Sequence, residues 1–196
     1  MSTIPVSEPQ TEWVLPSRGR VAMLSLLTGE SAIFTIFVVA YIFYIGKSLT
    51  GPTPQQVLEV PIFNTVCLLS SSVTIWLSER QLERGRIKAF AALWGLTMAL
   101  GAIFLVGTGI EWKKLIYVDG LTIRTNLFGT TFYSLVGLHA SHVVIGLIGL
   151  GVILIFTLTG HVNEKHYERI QVWAMYWHFV DAVWVVVFTV VYIIGR

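Results

Sequence analysis

"YWHFVDAVWVVVFTVVYIIG", residues 176–195, is almost unbroken hydrocarbon, yet it holds His178 and Asp181 three positions apart among Trp177, Phe179, Trp184 and Phe188. An apolar run of about 20 residues is what an α-helix needs to cross the hydrocarbon core of a bilayer. An ionised side chain at that depth costs roughly 2.5 to 3.5 kcal/mol even on the gentler insertion scales, so this pair should face protein or water and not acyl chains. At a spacing of three, both side chains project from one helix face. That face is therefore expected to meet another helix.

Composition generalises the reading. Of 196 residues, 55% are hydrophobic and only 12% charged, with a mean hydropathy of +0.73. A water-soluble domain has too little interior to hide that much apolar surface. Four further apolar runs, at 21–45, 60–78, 89–110 and 128–158, join the last at 170–194, and together they predict an all-α polytopic membrane bundle of five transmembrane helices. The run at 128–158 is long enough to tilt or to project beyond the bilayer. The connections, such as "GKSLTGPTPQQVLEVP" and "SERQLERGRIK", are short and rich in Gly, Pro and charge, leaving no room for a separate soluble domain. Residues 1–20 lack an apolar centre and a cleavage-like site and are expected to form a cytoplasmic tail, with 21–196 as the membrane domain.

Lys and Arg favour one orientation. With the N-terminus inside, the inner side collects Arg18, Arg20, Arg80, Arg84, Arg86, Lys88, Lys165 and Arg169, against Lys47, Lys113, Lys114, Arg124 and Arg196 outside. The positive-inside rule then predicts an inside N-terminus and an outside C-terminus. A net charge of +2 is too small to suggest a nucleic-acid partner, and the basic residues read as flanks that meet anionic lipid headgroups. The lone Cys67 lies inside an apolar run, makes no intramolecular disulfide, and reads as a small packing residue.

Polar residues interrupt the runs at four places: Glu30 within "LLTGESAIFTIF", Asn64 at the start of the second run, His139 and His142 within "GLHASHVVIG", and His178 with Asp181. At 1.5 Å per residue, Glu30 and His178 lie roughly 15 and 13 Å from the inner ends of their helices, close to one depth. Histidines in a membrane bundle usually hydrogen-bond between helices and fix their packing. The expectation is one interhelical polar cluster of His139, His142, His178 and Asp181. A lone carboxyl in hydrocarbon is costly, so Glu30 is either a packing group, a proton-exchanging group, or a hydrogen-bond partner of a neighbouring subunit. Gly137, Ser141, Gly146, Gly149 and Gly151 would let other helices approach the fourth run closely. Trp173, Trp177 and Trp184, at helical spacing, read as a lipid-facing or subunit-facing stripe, and Trp112 beside Lys113 and Lys114 as an interfacial anchor. Two histidines facing across a cavity would suit a heme, with His139 or His142 opposite His178 as the only candidates. No phosphate loop, nucleophile with a base, or cysteine cluster is present to suggest catalysis.

These motifs resemble subunit III of the heme-copper terminal oxidases, in its short five-helix bacterial form. "YWHFVDAVW" at 176–184 resembles the family's last-helix signature, "GLHASHVVIG" at 137–146 its paired-histidine motif, "GESAIF" at 29–34 its buried acidic position, and "PIFNTVCLLSSSVTIW" at 61–76 a further stretch of the family, all in the family's order. The resemblance implies an accessory subunit with no redox centre, packed beside a heme-bearing catalytic subunit I and a subunit II in the bacterial plasma membrane. It would help sustain proton uptake while the complex reduces oxygen and pumps protons. Heme and copper are then expected on the partners, none on this chain, and phospholipid at the interfaces. Longer relatives have seven helices and hold lipid in a cleft beside the first two, which this chain lacks. Where many relatives carry a glutamate near the start of the last helix, this chain has "ERIQVWAM", with Glu168 only nearby. "LTGPTPQQVLEVP" and "FTVVYIIG" are similar to the quinol-oxidase branch, whereas Glu30 fits the cytochrome c branch; an accessory subunit of nitric oxide reductase is a further relative. Outside the family stand a free-standing membrane cytochrome b, which requires heme, and a small proton-coupled transporter, which inverted repeats would support.

Overall fold

The computed structural model describes residues 17–48 and 50–196; the expected tail lies mostly outside them. Helix α1 spans Arg18–Tyr44, α2 is a single turn over Pro54–Val57, α3 spans Ile62–Glu83, α4 Ile87–Tyr117, α5 Leu127–Leu158 and α6 Tyr167–Phe188. A 3-10 turn over Glu164–His166 leads into α6, and a π-helical segment over Thr189–Ile194 continues it. Five of these elements are long and apolar enough to cross a membrane. In lipid every backbone N–H and C=O must be satisfied within the segment, which is why each apolar run becomes a helix and not an open strand.

The helices begin and end where the chain can cap them. Asn126 accepts from the Gly129 N–H at 2.8 Å and so starts α5. At the ends of α3 and α5, Gly85 and Gly160 take left-handed backbone, with φ of 68° and 79°. The next residue's N–H then reaches back to a carbonyl five positions earlier, Arg86 to Gln81 at 2.9 Å and His161 to Phe156 at 3.0 Å. Only glycine adopts that conformation without steric cost, so both positions are helix stops.

Helix α3 packs antiparallel on α4, α4 on α5, α5 on α1, and α1 and α3 both on α6, which also touches α5. Helix α6 is the most enclosed span and α1 the least, with Ile36, Val39 and Phe43 each more than half exposed on α1. Three tryptophans anchor the interior: Trp94, Trp177 and Trp184 are fully buried, with Phe104 and Phe132 beside them.

Several sequence expectations change here. Helix α1 begins at Arg18, inside the expected tail, and the Arg20 guanidinium donates to Gln171 on α6. Helix α4 runs seven residues past the end of its apolar stretch, because a run of hydrophobic residues measures lipid exposure and not helicity. Trp177 and Trp184 do not form an outward stripe. Each is 1% exposed or less, and their indole N–H groups donate to Ser71 at 2.8 Å and Thr65 at 3.2 Å on α3. Trp112 lies edge-on to Tyr133 of α5, ring centroids 5.3 Å apart, half inside the bundle and not free at its rim. The glycines of α5 explain where the indoles go: a Cβ at Gly146 would lie 2.8 Å from the Trp177 ring, and one at Gly149 2.4 Å from Trp173. Cys67 is buried on α3.

Candidate functional site

The polar residues picked out in the sequence do not meet in one hydrogen-bonded cluster. They divide between two seams on different sides of α6, and His139 joins neither.

The first seam joins α1 to α5. Glu30, its side chain 23% exposed, places Oε2 3.0 Å from Nε2 of His142, which is 10% exposed. On its other side His142 Nδ1 lies 2.8 Å from the Leu138 carbonyl, an acceptor, so Nδ1 carries a hydrogen. A neutral imidazole would then present a lone pair to a carboxylate oxygen, two acceptors facing one another. The 3.0 Å contact therefore holds a proton, either on the imidazole, giving an ion pair, or on the carboxyl, giving a neutral pair. In both forms the pair has no net charge, the condition under which ionisable groups are tolerated in a bilayer interior. Phe34 covers the imidazole with ring centroids 5.0 Å apart, and the Tyr176 hydroxyl of α6 donates to the His142 carbonyl at 3.3 Å.

The second seam joins α6 to α3. The Ser72 hydroxyl donates to Asp181 Oδ2 and lies 3.1 Å from His178 Nδ1. Ser71 receives the Trp177 N–H at 2.8 Å and gives its own hydrogen to the Leu68 carbonyl at 2.5 Å. His178 and Asp181 thus share a helix face as their spacing predicts, but what they meet is a pair of serines and not the histidines of α5. His139 is fully buried with neither ring nitrogen hydrogen-bonded, packed between Trp184 and Phe104 at centroid distances of 5.0 and 5.8 Å.

A third polar site, near the ends of α4 and α6, escaped the sequence reading. Tyr192 donates to Glu111 at 2.9 Å, and Glu111 lines an open cavity of about 350 Å³ with Asn64, Glu59 and Lys114. Gly107 permits this, since a Cβ there would lie 2.2 Å from the Asn64 amide. At the mouth Lys114 donates to Glu59, and this ammonium holds the exposed Glu59 carboxyl below the usual carboxylate range. At the opposite end of the bundle Glu79 is 8% exposed with one carboxyl oxygen unpartnered. Glu79 and Glu111 lie at the flanks of their apolar runs, where charge is ordinary, so only the burial of Glu79 and the Tyr192 hydrogen bond of half-buried Glu111 single them out. Ser71 and Ser72 carried a signal that went unread: "SSS" inside a span needs polar partners.

The imidazoles are spent on packing and hydrogen bonds. His142 has both nitrogens engaged and His139 is enclosed by aromatic rings, which is not the axial pair a bis-histidine heme requires. Among the described residues no group of three or more His, Cys, Asp and Glu is placed to hold a metal ion.

The sequence model of cytochrome c oxidase subunit III matches residues 22–196, which include all of these seams. The chain belongs to that family. Among curated relatives named cytochrome c oxidase subunit 3, that of Thermostichus vulcanus is 34% identical over 179 residues, covering 90% of this chain and 87% of the relative. That of Bacillus sp. strain PS3 is 32% identical over 171 residues, 86% and 82% of the two chains. The relative from Pan troglodytes is 38% identical over 144 residues but only 53% of it is matched, so the family includes members much longer than this one. Five membrane-spanning helices and bacterial family members together make this a multi-pass protein of the bacterial plasma membrane. Subunit III of the heme-copper oxidases is a non-catalytic subunit.

Proposed function

We propose that this chain is the accessory subunit III of a proton-pumping cytochrome c oxidase, seated beside a heme-bearing subunit I and a subunit II that carry the heme and copper, with its N-terminus inside and its C-terminus outside. The family membership supports assembly with other oxidase subunits. The distribution of Lys and Arg supports the orientation. Exposed apolar side chains along α1 and the shallow groove between α1 and α6, lined by Phe34, Val38 and Val183, support contact with phospholipid at the subunit boundaries.

The observation that carries the role of Glu30 is the 3.0 Å contact of its Oε2 with His142 Nε2. This pair is the only side-chain ion pair that α1 makes among the described residues, and α1 is the least enclosed span. The pair clamps α1 to α5, and by holding the subunit together beside subunit I it supports proton uptake there. Glu30→Gln tests this. The amide still donates to His142 Nε2 but cannot share a titrating proton. A clamp predicts that the mutant complex assembles with its hemes and turns over as the parent does at all pH values. Reduced sustained turnover at high pH in a fully assembled Glu30→Gln complex, restored at lower pH, would instead make Glu30 a direct proton donor. A quinol-oxidase reading is separated by the purified complex's electron donor, reduced cytochrome c against quinol.

A further inference from the structure

Tyr41 is 2% exposed, and its hydroxyl has no hydrogen-bond partner among the described residues. A phenol buried in that state costs free energy that a ligand's acceptor can recover. Tyr41 lines a cavity of about 350 Å³ at the end of the bundle where α1 and the π-helical segment finish. It stands against Gly195 of the same wall, where a Cβ would come within 2.7 Å of the hydroxyl. Ser48 and Arg196 line the cavity too. Ser48 Oγ accepts the Phe128 N–H at 3.0 Å, which leaves its own hydrogen to give. Arg196 is cationic at any working pH. Among the described residues no acidic side chain lines this cavity, so its donors suit an anion.

The roof over these donors is held in place. Asn126 Nδ2 donates to the carbonyls of Thr50 and Pro52 at 3.0 and 3.1 Å and so fixes the loop that follows α1. The opposite side is apolar. Ile45, Tyr41, Val38 and Phe34 follow one another at spacings of three and four and share one face of α1. Ile45 lines the cavity, whereas Val38 and Phe34 line the groove between α1 and α6, so the cavity leads into the groove along that face. Eleven residues of helix cover roughly 16 Å, half of a hydrocarbon core ~30 Å thick, which is one leaflet.

We propose that cavity and groove form one site for a phospholipid, whose phosphate accepts from Tyr41, Ser48 and Arg196 and whose acyl chain lies along Phe34 and Val38 against α6. A free phosphate would engage the donors but leave the groove unfilled; the run of both along one helix face selects the lipid. The site is built wholly from this chain and does not depend on which subunits neighbour it. It gives the acyl-lined groove a headgroup end and a requirement for phosphate.

The test uses the purified protein with its accompanying subunits, stripped of lipid in detergent and titrated with phosphatidylglycerol, with native mass spectrometry counting the lipid retained on this chain. One lipid should bind tightly. Tyr41→Phe and Arg196→Gln should each weaken it by about tenfold, the loss of one hydrogen bond to a charged group, and Tyr117→Phe, 80% exposed and outside the cavity, should leave it unchanged. Diacylglycerol with the same chains lacks the phosphate and should bind at least tenfold more weakly. In lipid-free detergent Tyr41→Phe should unfold no more readily than the parent, since it deletes an unmet hydroxyl, and added phosphatidylglycerol should raise the melting temperature of the parent more than that of the variant. Diacylglycerol binding as tightly as phosphatidylglycerol, unchanged affinity in both variants, or inorganic phosphate raising the melting temperature as far as the lipid does would each overturn the assignment. So would a Tyr41→Phe chain destabilised equally with and without lipid, because the hydroxyl would then serve the fold.

Discussion

Replacing Gly146 by alanine should destabilise the bundle, although alanine is the better helix former. The added methyl would lie 2.8 Å from Cε3 and 2.9 Å from Cζ3 of Trp177, well inside van der Waals contact. The indole has nowhere to go. Its N–H is held by Ser71 at 2.8 Å, and on the far side Gly101 of α4 approaches so closely that a Cβ there would be 2.7 Å from Cη2. Overpacking a filled interior typically costs about 1–3 kcal/mol, against a propensity gain of about 1 kcal/mol for Gly to Ala in a helix. Gly109→Ala on α4, where nothing lies within 4 Å of the new methyl, isolates the propensity term. The difference between the two mutants in a reversible unfolding titration in mixed micelles should be about 1–3 kcal/mol, the overpacking term alone, because the propensity gain is common to both. Trp177→Phe removes the ring atoms that clash, so the double mutant with Gly146→Ala should lose less than the sum of the single losses, by about 1 kcal/mol or more. Gly146→Ala as benign as Gly109→Ala, or strict additivity with Trp177→Phe, would refute the idea that α5 and α4 pinch this indole between two glycines.

Two further outcomes follow from the polar seams. Asp181→Leu strands the Ser72 hydroxyl and His178 and should cost about 1–3 kcal/mol, whereas Asp181→Asn keeps an acceptor and should cost clearly less in the same unfolding titration; equal losses would refute the seam. Glu59 is held below the ordinary carboxylate range by Lys114, so the contribution of this exposed pair is present at neutral pH and is lost as pH falls through the lowered value. Hydrogen exchange in residues 50–60, corrected for intrinsic rates, should rise on acidification or in high salt, and Lys114→Met should abolish that dependence; unchanged exchange would refute it.

Much of the architecture was legible in the chain. The five spans could be read because lipid demands long uninterrupted apolar segments with internally satisfied backbone, a constraint that acts on every residue and leaves a periodicity-free signature. Helix ends were less legible: α4 continues through Glu111, Trp112, Lys113 and Lys114, residues that favour helix but read as the edge of the membrane. The candidate site was legible only as a set of residue types. That Glu30, His142, His178 and Asp181 needed polar partners followed from their solvent; which partners they found did not.

What the sequence determined by itself is therefore the solvent, the number of spans, the shared face of His178 and Asp181, and the family, since each depends on composition or on spacing along one helix. The tertiary structure decided the rest. It paired Glu30 with His142 across α1 and α5, gave Asp181 to Ser72 in place of a histidine, enclosed Trp177 and Trp184 that a helical wheel would turn toward lipid, and set the half-buried Glu111 against Tyr192. The physical reason is that all five spans are apolar on nearly every face, so no amphipathic stripe records which side packs inward. That choice is made by close fit, a glycine opposite an indole and a donor opposite an acceptor, and such complementarity exists only between helices.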